Sequence, residues 1–270
     1  MRPRRFAGLL ARSIAGLLVL ITPTAAGAAT SPPGRTGIGQ AVHVPGLPTV
    51  GPLFRNGLQQ PHECTASVLL SPGHDLILTA AHCLHGSGAG LRFAPGYDRG
   101  RTPYGVWTTS QAYVDPSWIS RQDPQHDYAI VRVAHQTRHG QRVGIQDVVG
   151  GGNLLALAPQ PGQPLTVPAY PAGINDQPID CAVTDYDTNG YPSFDCGGYV
   201  GGTSGAAWLI RTAIPHVSLV AGVIGGLHQG GCVDYTSYSS AFSLDTYRLW
   251  LRAALGARPD TVPAAGSDGC

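Results

Sequence analysis

Three short stretches of this 270-residue sequence carry side chains that could do chemistry together. The first is Leu76-Ile77-Leu78-Thr79-Ala80-Ala81-His82-Cys83, an apolar strand that runs through two small residues into a histidine and a cysteine. The second is His126-Asp127-Tyr128-Ala129-Ile130-Val131, and the third is Gly201-Gly202-Thr203-Ser204-Gly205-Ala206. A serine hydroxyl is a poor nucleophile at neutral pH and needs a base within hydrogen-bond reach. His82 is the candidate base for Ser204. Asp127 is the carboxylate that would fix the imidazole tautomer and stabilise the imidazolium. Glycine before the serine lets backbone N–H groups turn toward a developing oxyanion with no Cβ in the way. Asp123 is near enough in the chain to compete with Asp127, whereas His85 and His126 read as surface or structural residues.

Such groups must sit on rigid elements, and the pattern around them is one of short strands. Residues 65–70 are strand-like, Ser71-Pro72-Gly73-His74-Asp75 is a turn, and Leu76–Thr79 is a second strand. This hairpin puts Cys64 at the start of one strand and Cys83 just past the end of the other, where a bridge can pin the histidine segment. Closing a loop of that size should stabilise by roughly 3 kcal/mol in the chain-entropy model. Further strand-like pieces lie at 106–109, 128–133, 163–167, 206–210 and 218–224. One helix stands out. Ser243 is its N-cap, Asp245 suits its first turn, and Gly256 is placed for its C-terminal cap; Leu244, Tyr247, Leu251 and Leu255 share one face. Many short strands with one closing helix predict an all-β architecture.

The chain opens on Met1-Arg2-Pro3-Arg4-Arg5, continues in an apolar run over 6–21 broken by Arg12 and Ser13, and reaches Ala26-Gly27-Ala28. These are the three parts of a secretory signal peptide over residues 1–28. The apolar core after Arg12 is too short for a comfortable span of about 20 residues, which argues against a membrane anchor. An extracellular protein is expected. Residues 29–48, rich in Ala, Ser, Pro and Gly, read as a flexible leader or short propeptide. All 17 cationic side chains are arginines, and four leave with the signal, so 13 remain against 16 acids. A slightly negative chain offers no basic patch for nucleic acid and no polybasic membrane tether. Nothing in the composition asks for an obligate oligomer, and a monomer is expected.

Six cysteines, at 64, 83, 181, 196, 232 and 270, make an even count that reads as disulfides in an exported chain. Zinc at His82, Cys83 and His85 is the competing reading. The absence of any C-x-x-C pair and the better use of Cys83 argue against it, and no metal or cofactor is expected. Two arrangements stay open for the remaining four cysteines: Cys181–Cys196 with Cys232–Cys270, which is preferred, or Cys196–Cys232 with Cys181–Cys270.

Thr79-Ala80-Ala81-His82-Cys83 with Cys64, the Asp127-Tyr128-Ala129-Ile130 stretch, and Gly202-Thr203-Ser204-Gly205 resemble the chymotrypsin-like, trypsin-fold serine peptidases, and most of all their secreted bacterial members. The chain order histidine, aspartate, serine differs from that of α/β-hydrolases and of subtilisins. The resemblance covers residues 50–256 and implies two six-stranded antiparallel β-barrels with the active site in the cleft between them. Residues 49–150 would form the N-terminal barrel with His82 and Asp127. Residues 151–256 would form the C-terminal barrel with Ser204 and the closing helix, followed by a tail over 257–270; the changeover falls near Gly150-Gly151-Gly152. It also implies a polypeptide substrate, an acyl-enzyme, no cofactor, and an oxyanion hole made by the N–H groups of Gly202 and Ser204. Tyr199, His228, Gln229 and Gly230 become the substrate-binding residues.

The chain departs from this pattern beside the nucleophile. Thr203 stands where the family usually has an aspartate, so an ion pair with a freed N-terminal amine is not available, and Gly205-Ala206-Ala207 replaces Gly-Gly-Pro. An acid on the pocket floor, six residues before the serine, would imply cleavage after Arg or Lys; that position is Gly198, with Asp195 nearby. Bacterial glutamyl endopeptidases tolerate changes beside the serine and carry a histidine in a comparable strand, a part His228 could take. An inactive homologue acting as a binding module and an esterase on the same scaffold are the alternatives.

Overall fold

The computed structural model describes residues 37–270, so the expected signal peptide lies outside the described residues. The apolar segment Leu76–Thr79 explains much of what surrounds it. Ile77 joins a buried cluster with Leu53, Val68, Phe93, Trp107 and Val131, inside a barrel. Leu76 and Leu78 join a different cluster, with Tyr113, Ile130, Leu209, Val220 and Leu249. A strand buried on both faces reads as a continuous apolar run with no alternation. This one is the wall shared by the two halves of the molecule.

The barrel is closed and antiparallel. Its strands are β1 (Val50–Phe54), β2 (Cys64–Leu69), β3 (Leu76–Thr79), β4 (Arg92–Phe93), β5 (Trp107–Val114) and β6 (Ala129–Val133), arranged β1-β2-β3-β6-β5-β4 around the ring. Two short helices follow the chain around it, α1 (Pro116–Arg121), with Asp115 as its N-cap, and α2 (Ile145–Val149). Neither is evident from hydrophobic periodicity, because each is too short to show a repeat. Gly150 ends α2 with φ of +75°, a left-handed C-terminal cap that suits glycine. All the barrel strands precede it and the strands of the second half follow it.

The second half is more open than the barrel that the resemblance implies. Strands β7 (Leu154–Leu155), β8 (Pro164–Thr166), β9 (Ala182–Thr184), β12 (Ala207–Arg211) and β13 (Ser218–Val223) form a five-stranded sheet in the order β7-β13-β12-β8-β9. Strands β10 (Tyr186–Thr188), β11 (Tyr191–Asp195) and β14 (Thr236–Tyr238) form a separate three-stranded sheet. Residues 164–178 contain Pro164, Pro168, Pro171 and Pro178, none of which can donate a ladder hydrogen bond. A third buried cluster, with Leu165, Val167, Phe194, Trp208 and Ile224, fills this half.

The end of the expected leader is part of the fold. Ala41 N donates to Gly197 O and Gly197 N donates to Gly39 O, while Val42–His43 pairs with Ile179–Asp180. Residues 39–44 thus line up against the second half just upstream of the serine loop. The closing helix α3 (Leu244–Ala254) starts at Ser243 as expected, with the Ser243 hydroxyl accepting from Asp245 N. Its orientation corrects the expected apolar face. Leu244, Leu251 and Leu255 are exposed and Tyr247 is on the margin of exposure, whereas Thr246, Leu249 and Ala253 face inward. A helix on an already covered sheet buries a narrow stripe, and leaving single leucines in water costs little.

Candidate active site

His82 stands just past the end of β3, in a single helical turn over Ala81–Cys83 that Cys64 holds through the expected disulfide. Asp127 stands just before β6, in the neighbouring strand of the same barrel, since β3 and β6 pair from Thr79↔Ala129 onward. Adjacent strand ends therefore bring the two residues together. His82 N donates to Asp127 Oδ1 at 2.9 Å, and His82 Nδ1 donates to Asp127 Oδ2 at 2.7 Å. A carboxylate only accepts, so the ring proton is placed on Nδ1 and Nε2 is left able to accept one. The aspartate is fully buried, and Gly226 N donates to its Oδ2 at 2.9 Å. Its own N–H donates to Ser240 Oγ, which in turn donates to Pro124 O.

The competing aspartate has another task. Asp123 Oδ1 accepts from Gln125 N and its Oδ2 pairs with Arg121, which shapes the turn leading to Asp127. His85 Nδ1 accepts from Arg55, and His126 lies between Asp115 and Asp123. The thiols that zinc would need beside His82 are joined in the Cys64–Cys83 bridge. The other four cysteines form Cys181–Cys196 and Cys232–Cys270, the preferred arrangement.

Ser204 is half-buried and lines a cleft of about 380 Å³ together with His82. The loop that carries it directs its polar groups in two ways. The carbonyls of Gly201, Gly202 and Ser204 accept from Ala172 N, Thr65 Oγ1 and Thr65 N respectively. The N–H groups of Gly202 and Ser204 make no backbone hydrogen bond among the described residues. Carbonyls turned into the protein leave those two N–H groups uncommitted. Gly202 has φ of +94°, and a Cβ there would come within 2.3 Å of Ala172 N; Gly205 has φ of +80°, and a Cβ would meet Thr79 Oγ1 at 2.2 Å. Both positions require glycine. Thr203 holds the loop where the usual aspartate is missing: its N–H and hydroxyl both donate to Val200 O, at 3.2 and 2.8 Å.

No local motif marks Thr65. It is fully buried at the start of β2, next to Cys64, and accepts from Tyr170 N besides holding both sides of the serine loop. Ser240 and Gly226 were missed for the same reason. Each acts across more than 95 residues of sequence, with no local motif to reveal it.

The family model described as trypsin-like peptidase domain matches residues 64–213, a stretch that includes the histidine, aspartate and serine segments. This chain belongs to the trypsin-like peptidases. Curated protein sequences offer no match to it. Among solved structures, a thermostable serine protease from an extremophilic microorganism is 25% identical with a TM-score of 0.62, over 77% of this chain and 98% of the other. The protease Anisep from Arthrobacter nicotinovorans is 23% identical with a TM-score of 0.64, over 79% of this chain and 98% of its own. A structure described as a Glu endopeptidase shares 16% identity and a TM-score of 0.58, over 80% of this chain and 98% of the other, a likeness of fold. This trypsin-like peptidase is a serine endopeptidase.

The expected substrate-binding residues all line the cleft of this peptidase: Tyr199, His228, Gln229 and Gly230, with Val200, Ile224 and Val233 as apolar neighbours. Tyr199 serves as wall, since its hydroxyl donates to Val167 O at 2.7 Å. Burial, and then the nearby Asp180 charge, push its phenol far above the ordinary range, so it stays protonated. Asp195 is not a cleft residue, for its carboxylate accepts from Tyr186 and Thr236 hydroxyls. His228 has φ of +53°, and its Nδ1 donates to Asp268 O, a carbonyl contributed by the tail. Among the described residues no helix is long and apolar enough to cross a membrane.

Proposed function

We propose that this peptidase cleaves polypeptides through a triad of Ser204, His82 and Asp127, with Gly202 and Ser204 N–H as the oxyanion hole, and that it is exported and works outside the cell as a monomer without a cofactor. The observation that carries the reading is a convergence. A buried carboxylate orients the base, and a half-buried serine flanked by two uncommitted N–H groups opens into the same cleft. Ser204 Oγ attacks the scissile carbonyl while His82 Nε2 takes the hydroxyl proton. The imidazolium, held by Asp127, then protonates the departing amine and leaves an ester on Ser204. Water repeats the sequence to free the acid and restore the serine. Three disulfides and the signal-like first residues support export.

Mass spectrometry after incubation with a fluorophosphonate probe tests the triad. One adduct on Ser204, lost in His82→Ala, is expected. No adduct on a disulfide-intact protein would overturn the reading in favour of a binding module.

A further inference from the structure

His82 must deliver its proton to the leaving amine, so the leaving-group side of the cleft runs past His82 and the Cys64–Cys83 bridge toward Arg55 and Glu63. The acyl side runs the opposite way, along the wall formed by Gly226 to Gly231. Residues 264–270 of the same chain lie across that side. Gln122 Nε2 donates to Ala264 O at 2.6 Å, and Gln122 Oε1 accepts from Gly266 N at 2.7 Å. From the other wall, Gln229 Nε2 donates to Gly266 O and His228 Nδ1 donates to Asp268 O, both at 2.9 Å. The Cys232–Cys270 bridge fixes the segment just beyond. Gln122 belongs to the half that carries His82, and the other anchors belong to the half that carries Ser204. The segment thus bridges the two halves beside the cleft, with Asp268 as its lining residue.

Asp268 lines the cleft that holds Ser204, and it also lines a neighbouring cavity of about 270 Å³ with Trp118, Gln122 and Gly226. The segment is the partition between the two. The Asp268 side chain is exposed, with Oδ1 accepting from Cys270 N at 3.0 Å, and no arginine pairs with it among the described residues. Elsewhere in the cleft, Arg55 and Glu63 neutralise each other at 2.6 Å on the leaving-group side. The acyl side therefore carries a carboxylate with no cation of its own, and an incoming glutamate near His228 meets an acid on the same wall.

We propose that residues 264–270 are a disulfide-held strap that shortens the acyl side of the cleft, and that Asp268 on it selects for a positive charge there. The charge can come from a free α-amino group or from an Arg or Lys side chain. The proposal deepens the serine-peptidase reading and rests on it. It describes an endopeptidase that cuts best a short distance behind a positive group.

The experiment uses peptides that share the residue favoured in a library digest at the scissile bond. They carry two to five residues on the acyl side, with a free or acetylated amine and with alanine or arginine farthest from the bond. For the wild-type protein, kcat/KM is expected to fall on the order of tenfold from the shortest to the longest acetylated peptide. It should rise roughly fivefold wherever a positive charge is supplied at the right distance, the gain of one screened ion pair. The free-amine and arginine arms tell the two charge sources apart. Asp268→Asn should bring the charge preference to about one. Cys232→Ser combined with Cys270→Ser should restore cleavage of the long peptides. Wild-type rates indifferent to length and charge, or a charge preference that survives Asp268→Asn, would overturn the strap while Ser204 still labels with the fluorophosphonate. Absence of labelling would overturn the triad and this proposal together.

Discussion

Strands β1 to β6 close on themselves and hold His82 and Asp127 at the ends of two adjacent strands, whereas the second half divides into two sheets and presents Ser204 on a loop. The proposed base and its carboxylate need one fixed distance, and a closed ladder supplies it. The proposed nucleophile and oxyanion donors need a run of backbone with alternating polar directions, which no regular ladder offers. Glycines at positive φ supply it instead. The first half gives the site rigidity through pairing. The second gives it shape through exceptions to pairing, and those exceptions are stabilised by Thr65, borrowed from the first half.

That contrast can be broken at three places. Asp127→Asn removes the tautomer control supplied by the barrel and should lower kcat by roughly 10⁴-fold with KM little changed. Steady-state kinetics would read it, and a loss below tenfold would deny Asp127 its role. Gly202→Ala strikes the loop. A Cβ at 2.3 Å from Ala172 N must displace the oxyanion donors, so kcat should fall by about 10² to 10³. Active-site titration would show that Ser204 still acylates slowly, and an undiminished kcat would mean that the donors lie elsewhere. Thr65→Val is the finest cut. It leaves Gly202 O and Tyr170 N without their buried partner and should cost about 2 kcal/mol of stability, seen in denaturant unfolding, together with a fall in kcat. Lost stability with kcat intact would reduce Thr65 to a packing residue.

The same contrast governs what can be read from the amino acids. His82 was legible because its strand, its small residues and its cysteine are contiguous, and the Cys64–Cys83 bridge followed from one hairpin. Asp127 was legible from a neighbouring strand, and Ser204 from the glycines that its loop requires. The division of the second half into two sheets was not legible, because its pairing partners lie far apart in the sequence. The inward face of α3 was misread for a related reason. Leu244, Leu251 and Leu255 outrank Thr246 in apolar character, but the sheet beneath had room for Thr246, Leu249 and Ala253. The tail over 257–270 was expected to be held by Cys232–Cys270, and it is. The hydrogen bonds of Gln122, His228 and Gln229 further anchor it to both halves, contacts that no local motif marks.

Burial of β3 on both faces has a consequence for how the chain folds. The side of the barrel that carries Leu69, Leu76, Leu78, Tyr113 and Ile130 is completed by residues from beyond position 200. Expressed alone, residues 50–150 would place that apolar wall in water, a surface that promotes aggregation. The two halves are therefore one cooperative unit, and a ribosome must release most of the chain before the first half has anything to fold against.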